Sequence, residues 1–91
     1  MEHKRKLKIR NDLGLHGRSA AKIVELVNKH RSKLYFKKND SKEVDGTNIL
    51  SILTLACPKG SEVAVRAVGE DAEELLNELS MLFERKFDEK K

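Results

Sequence analysis

The sequence predicts an α+β fold, an open-faced sandwich in which one four-stranded antiparallel sheet is covered on one face by three helices. Two patterns predict it. Around residues 7 and 65 apolar side chains alternate with polar ones, the period of a half-buried strand, whereas after residues 17 and 71 they recur every three or four positions, the period of one helix face. Turn residues separate these runs, and the resulting order is βαββαβα. The chain has 91 residues, enough for one domain over 1–91 with a modest core and too few for two.

Taken in order, Leu7 and Ile9 alternate with Lys6, Lys8 and Arg10 as the first strand, and Asn11-Asp12 with Gly14 turns the chain out of it. Ala20, Ile23, Val24 and Val27 then form the buried face of a helix that opens near His16 to Arg18. Lys33 to Lys38 holds Leu34, Tyr35 and Phe36 and reads as a strand ended by Asn39-Asp40-Ser41, with a short strand around Lys42 to Val44 completing a hairpin. After the Asp45-Gly46 turn, Thr47 is placed to cap a short helix over Asn48 to Thr54. In that helix Ile49, Ile52 and Leu55 suit burial, which leaves Leu50 and Leu53 on the surface. An apolar patch left exposed in this way marks a contact site.

Lys59-Gly60 leads into Glu62 to Val68, where Val63, Val65 and Ala67 alternate with Ala64 and Arg66 as the fourth strand. Asp71-Ala72-Glu73-Glu74 has the spacing of a capping box. Leu75, Leu76, Leu79, Leu82 and Phe83 form the stripe of the last helix, with Glu73, Glu78 and Glu84 outside and Arg85 and Lys86 near its negative end. Asp88 to Lys91 is expected to fray.

The chemistry lies where the first strand gives way to the first helix. His16 stands at or just before the first helical turn, where the free N–H groups of Gly17, Arg18 and Ser19 and the positive end of the helix dipole favour an anion. A neutral imidazole is a nucleophile at pH 7 and can take a phosphoryl group on a ring nitrogen. The helix amides and the Arg18 guanidinium could share its charge. Gly17, Ser19, Ala20 and Ala21 are small, so a docked partner can approach in line. His3, in a basic leader, and His30, in the polar run Asn28 to Lys33, read as surface residues without a partner at useful spacing.

Lys and Arg total 19 against 15 Asp and Glu, a formal net charge of +4 that on its own suggests nucleic acid. Basic residues crowd the first strand and residues 29–38, but the aromatics are only Tyr35, Phe36, Phe83 and Phe87, and a stacking platform needs aromatics spread over an exposed sheet. The basic surface therefore reads as solvated strand faces and a steering field for acidic proteins. No run approaches the roughly 20 apolar residues of a membrane span, and Met-Glu-His-Lys-Arg-Lys is followed by no apolar stretch of a signal peptide, so a cytoplasmic monomer is expected. Cys57 has no second cysteine and no His at zinc spacing; it reads as a small, buried or half-buried apolar residue in the turn before Pro58, and neither metal nor cofactor is expected.

The run Gly14-Leu15-His16-Gly17-Arg18-Ser19-Ala20-Ala21, followed by Asn48-Ile49-Leu50-Ser51-Ile52-Leu53-Thr54-Leu55 and Lys59-Gly60, resembles the histidine phosphocarrier (HPr) family of the bacterial phosphotransferase system over nearly the whole chain. The resemblance implies the HPr-like form of the sandwich, with His16 phosphorylated by enzyme I and the phosphoryl group passed to an enzyme IIA-type acceptor. Arg18 would be the phosphate-binding companion, with Gly17 and Ser19 beside it, and Ala21, Val24, Ile49, Leu50, Leu53 and Thr54 the docking surface. The protein would then be a carrier between enzymes and not itself a free-standing enzyme.

Gly17 departs from the family's usual Ala or Thr and Ser19 from its usual Pro, exchanges expected to loosen the loop. Asn48 occupies the position of the regulatory serine of many Gram-positive carriers, so no regulatory phosphosite is expected. Glu25 and the ending Phe83 to Asp88 look closer to the nitrogen-related NPr branch, whose acceptor is regulatory. The competing class is a non-catalytic regulatory or protein- or RNA-binding module on the same scaffold, in which His16 only caps a helix.

Overall fold

In the computed structural model, which describes residues 1–89, the strands are β1 (Glu2–Lys8), β2 (Lys33–Lys37), β3 (Val44–Asp45) and β4 (Glu62–Val68). The helices are α1 (Gly17–Asn28), α2 (Ile49–Leu53) and α3 (Ala72–Glu84). The strands make one sheet in the order β1-β4-β2-β3, every pair antiparallel. β1 and β4 run together from Glu2 opposite Val68 to Lys8 opposite Glu62.

Alternation decides which face is covered. Leu7, Leu34, Phe36, Val63, Val65 and Ala67 are buried beneath the helices, where they meet Ile23, Val27, Ile52 and the whole α3 stripe of Leu75, Leu76, Leu79, Leu82 and Phe83. On the open face Arg66 lies 4.4 Å from the Tyr35 ring centroid and donates to Glu43 and Glu2. The predicted βαββαβα sandwich is therefore the observed one.

Local boundaries differ for identifiable reasons. Ile9 is buried just past β1, where its N–H donates to the Ser61 carbonyl and its own carbonyl accepts from Gly60, both at 2.8 Å. β3 is two residues long and begins at Val44 rather than Lys42. Asn48, not Thr47, caps α2: its Oδ1 accepts from the Ser51 N–H at 3.2 Å, while the Thr47 hydroxyl donates to Asp45. Ile49 is exposed instead of buried, because the five-residue α2 turns only Ile52 fully inward.

Two further readings are corrected around His30. Its side chain is only 5% exposed and joins Asp71 through Nδ1 at 3.0 Å to Glu78 through Nε2 at 3.2 Å, pinning the end of α1 to α3. Asp71 precedes α3 but makes no side-chain cap, since its carboxylate already accepts from the Ser32 hydroxyl, the Arg31 N–H and His30. The sequence spacing of a capping box is present; tertiary partners have taken the carboxylate.

The C-terminus does not fray at Asp88. Lys86, Phe87 and Asp88 turn in the left-handed region, with φ of 57°, 56° and 59°, and Phe87 is buried with its ring 4.9 Å from that of Phe83. Glu89 is thereby carried back toward the start of α1. The remainder of the expected frayed tail, Lys90 and Lys91, lies outside the described residues.

The Ser32 hydroxyl, then the Arg31 amide and His30, hold the Asp71 carboxyl down to about 2. A depressed carboxylate stabilises the fold above its unfolded value, near 3.9, and that contribution is lost as the pH falls toward the folded value. Asp71→Asn should therefore lower the thermal midpoint at pH 7 and flatten the loss of stability between about pH 4 and pH 2, measured by circular dichroism.

Candidate functional site

The loop before α1 is fixed by a close approach that only glycine permits. Gly14 has φ +67°, and a Cβ there would sit 2.4 Å from the Cys57 carbonyl oxygen and 2.8 Å from Pro58 Cα. Leu15 donates its N–H to that same Cys57 carbonyl at 2.8 Å. Cys57 is buried, as expected, and burial pushes its thiol pKa up. With the loop braced, His16 falls at the N-cap of α1, its backbone extended (φ −145°, ψ −178°).

His16 is both cap and candidate nucleophile. Nδ1 accepts the Arg18 N–H at 3.3 Å, while Nε2 lies 2.6 Å from Glu89 Oε2. An amide can only donate and an ionised carboxylate can only accept, so the two contacts together assign the proton of the neutral ring to Nε2 and the lone pair to Nδ1. The side chain is 27% exposed, so the ring is reachable from solvent.

The predicted neighbours take different places. Arg18 is exposed, and its one hydrogen bond outside the helix ladder among the described residues is from its backbone N–H to His16 Nδ1, which leaves the guanidinium available to an anion. Gly17 is exposed, with nothing within 4 Å of a Cβ built on it. Ser19 is fully buried: its Oγ accepts the His16 N–H at 3.0 Å and lies 3.3 Å from the Gly14 carbonyl. Its hydroxyl therefore tethers the cap instead of facing a phosphate, and the expected loosening by loss of proline is opposed by this tether.

Two residues of the site escaped the sequence reading. Asn11 looked like a turn former but is fully buried, and its Nδ2 donates to the Gly14 carbonyl at 2.7 Å and to Glu89 Oε2 at 2.9 Å. Glu89 was placed in a frayed tail. Nothing local marks a contact spanning 73 positions; the signal would have been a buried Phe87 able to fold the tail back.

Between the active loop and the tail is an open hollow of about 610 Å³ lined by Asp12, Leu13, Arg18, Lys22, Phe87, Asp88 and Glu89. Lys59 bonds Asp12 at 2.7 Å and holds its carboxyl below the usual range. Leu13 and Leu50 are 70% and 73% exposed, and Ile49 is exposed with them. α1 packs on α2, so Ala21 and Val24 of one and Ile49, Leu50, Leu53 and Thr54 of the other stand on neighbouring helices. Ala21 and Thr54 are exposed and Val24 and Leu53 half-buried. Elsewhere His30, Glu74 and Glu78 bring potential metal-ligand atoms within 4.8 Å of one another, but the pairing of His30 with Asp71 and Glu78 accounts for that group.

A four-stranded open sheet with a solvent-reachable imidazole at the start of its first helix defines the architecture of the small phosphocarrier proteins of the phosphotransferase system. A family model described as the PTS HPr component phosphorylation site matches residues 3–85, and the chain belongs to this HPr family. It is 36% identical over 89 residues to a phosphocarrier protein HPr of Xylella fastidiosa, covering 98% of this chain and 97% of that one. It is 33% identical to a phosphocarrier protein NPr of Proteus mirabilis, covering 98% and 99%. A crystal structure of HPr-C-His from Thermoanaerobacter tengcongensis superposes with a TM-score of 0.90 at 34% identity, covering 98% and 99%. No helix among the described residues is long and apolar enough to cross a membrane.

Because a Cβ at position 17 meets open space, Gly17→Ala should raise stability by about 0.4–1 kcal/mol through the unfolded chain. Gly14→Ala should instead cost ~2 kcal/mol or more from positive-φ strain and the clash with Cys57. Urea unfolding of both variants checks the opposed signs.

Proposed function

We propose that this chain carries a phosphoryl group on His16 Nδ1, received from enzyme I and delivered to an enzyme IIA-type acceptor. The observation that carries the reading is the ring's orientation: Nε2 is turned to Glu89 and Nδ1 to the Arg18 amide in the first turn of α1, which together assign the lone pair to Nδ1. As Nδ1 attacks phosphorus, the bond from phosphorus to the donor breaks and its electron pair leaves with the donor. The 3.3 Å contact with the Arg18 amide is at the weak end of hydrogen bonding, so little is lost when Nδ1 turns to the phosphorus. The amide so released, the helix dipole and the Arg18 guanidinium then face the phosphoryl oxygens. Transfer to the acceptor is the same displacement in reverse, and positioning and charge stabilisation suffice for it.

Leu50, Ile49 and Leu53 on α2 and Thr54 at its C-terminal end, with Ala21 and Val24 on α1, form the docking surface in this reading. A large exposed leucine has no packing role to explain it, and a patch of modest area suits a carrier that must leave one partner to meet the next. Asn48 serves as the α2 cap, and no side-chain hydroxyl is present there for a regulatory kinase. Glu25, exposed on α1, and the ending Phe83 to Asp88 support an acceptor of the nitrogen-related, regulatory kind.

Incubation with enzyme I and phosphoenolpyruvate should add one acid-labile phosphate, read by mass spectrometry, and His16→Ala should abolish it. No gain in the wild type with several donor enzymes would favour a non-catalytic module instead. Arg18→Ala should fold normally and slow transfer by about tenfold or more, the worth of one charged hydrogen bond; an unchanged rate would remove Arg18 from the site. Leu50→Ser should leave stability within about 0.5 kcal/mol and raise KM for enzyme I while sparing kcat.

A further inference from the structure

We infer that Glu89 is a positioning residue for phosphoryl transfer, acting through the ring of His16 from the side opposite the phosphoryl group. The inference rests on the carrier reading above and deepens it. Glu89 Oε2 is 2.6 Å from Nε2, and its side chain is 10% exposed. Asn11 Nδ2 donates to the same oxygen at 2.9 Å while also holding the Gly14 carbonyl. One buried amide thus sets the carboxylate and the active loop in a common frame.

The local structure maintains this contact against adverse terms. Three successive residues, Lys86 to Asp88, adopt the left-handed region that side chains disfavour. Glu89 Oε1 is buried with no hydrogen-bond partner among the described residues, an arrangement that is unfavourable by itself. Backbone strain and a carboxylate oxygen without a partner among the described residues converge on the segment that delivers a charge to His16. Phe87, buried against Phe83, anchors the turn.

What the carboxylate does follows from proton bookkeeping. Before transfer it accepts the Nε2 proton and leaves the lone pair on Nδ1. When Nδ1 forms its bond to phosphorus the ring becomes a phosphoimidazolium, still carrying its Nε2 proton, and the positive charge that develops faces the Glu89 carboxylate. No proton leaves the ring: the electron pair of the broken bond goes to the donor. Glu89 touches neither phosphorus nor donor; it orients the ring and stabilises its charge.

The test uses the full chain with Glu89→Ala, Glu89→Gln and, as a control for net charge, Glu73→Ala on the exposed side of α3. Proton NMR of the unphosphorylated wild type should show a downfield, hydrogen-bonded Nε2 proton on His16, absent in Glu89→Ala. It should be retained but shifted in Glu89→Gln, whose amide oxygen can accept while Asn11 holds it. Transfer from phosphorylated enzyme I should slow about tenfold in Glu89→Ala, less in Glu89→Gln, and not in Glu73→Ala, with circular dichroism unchanged throughout. A wild-type rate in Glu89→Ala, or a His16 ring proton indifferent to residue 89, overturns the inference while the carrier reading stands. Failure of the wild type itself to accept phosphate overturns the carrier reading, and this inference with it.

Discussion

In the proposed carrier role, the hydrogen bond from the Arg18 amide to His16 Nδ1 commits the start of α1 and the lone pair that would attack phosphorus to the same atom. Serine, aspartate and asparagine cap helices well because a short side chain carries its acceptor close to the amides of the first turn. An imidazole reaches those amides less closely, and the contact is long at 3.3 Å. The cap is completed from the other side, where buried Ser19 receives the His16 N–H at 3.0 Å. The helix start is thus held mainly by the serine. Under the proposed function, the histidine bond would be exchanged for a bond to phosphorus without unravelling the first turn.

That exchange needs a ring whose position is set from elsewhere. The backbone of Gly14 and Leu15 against Cys57 places the Cα of His16, and Asn11 and Glu89 place the far nitrogen of its ring. None of these groups lies on α1, so the site is the meeting point of three chain segments: the exit of β1, the turn after α2 and the tail beyond α3. The tight core keeps those segments in register, since Ile9, Ile52, Cys57 and Phe87 belong to one buried cluster. Packing at the base of the sandwich is therefore transmitted to the geometry of one imidazole.

The sheet and helices were legible because their signals are periodic and repeated. Val63, Val65 and Ala67 cannot be buried together except as a strand, and Leu75, Leu76, Leu79, Leu82 and Phe83 cannot except as a helix. His16 and Arg18 were legible because a helix start has its own chemistry, which local sequence marks. Caps were less so. Asp71 has the spacing of a capping residue, but Ser32, the Arg31 amide and His30 compete for its oxygens, and they come from 39 to 41 positions away. Thr47 lost the α2 cap to Asn48 because Asp45 captured its hydroxyl. Glu89 and His30 were misplaced for the same reason: a polar residue in a polar run has no periodicity from which to infer a distant partner.

A carrier must hold its group loosely enough to give it up, and the charge layout suits that demand. Arg18 is exposed and Nδ1 lies at a surface helix start, so solvent screens the donors proposed to face the phosphoryl oxygens. The carboxylate, in contrast, is mostly buried behind the ring, where screening is weaker and its influence on the imidazole stronger. Stabilisation on the phosphate side is open to the partner, which can displace water and add donors of its own as it docks. In the proposed role, stabilisation on the ring side belongs to this chain and is greatest while the ring carries the phosphoryl group, so it favours receipt and opposes delivery by the same amount. It cancels over the two transfers together, and the direction of flow is then left to the proteins proposed to dock on α1 and α2.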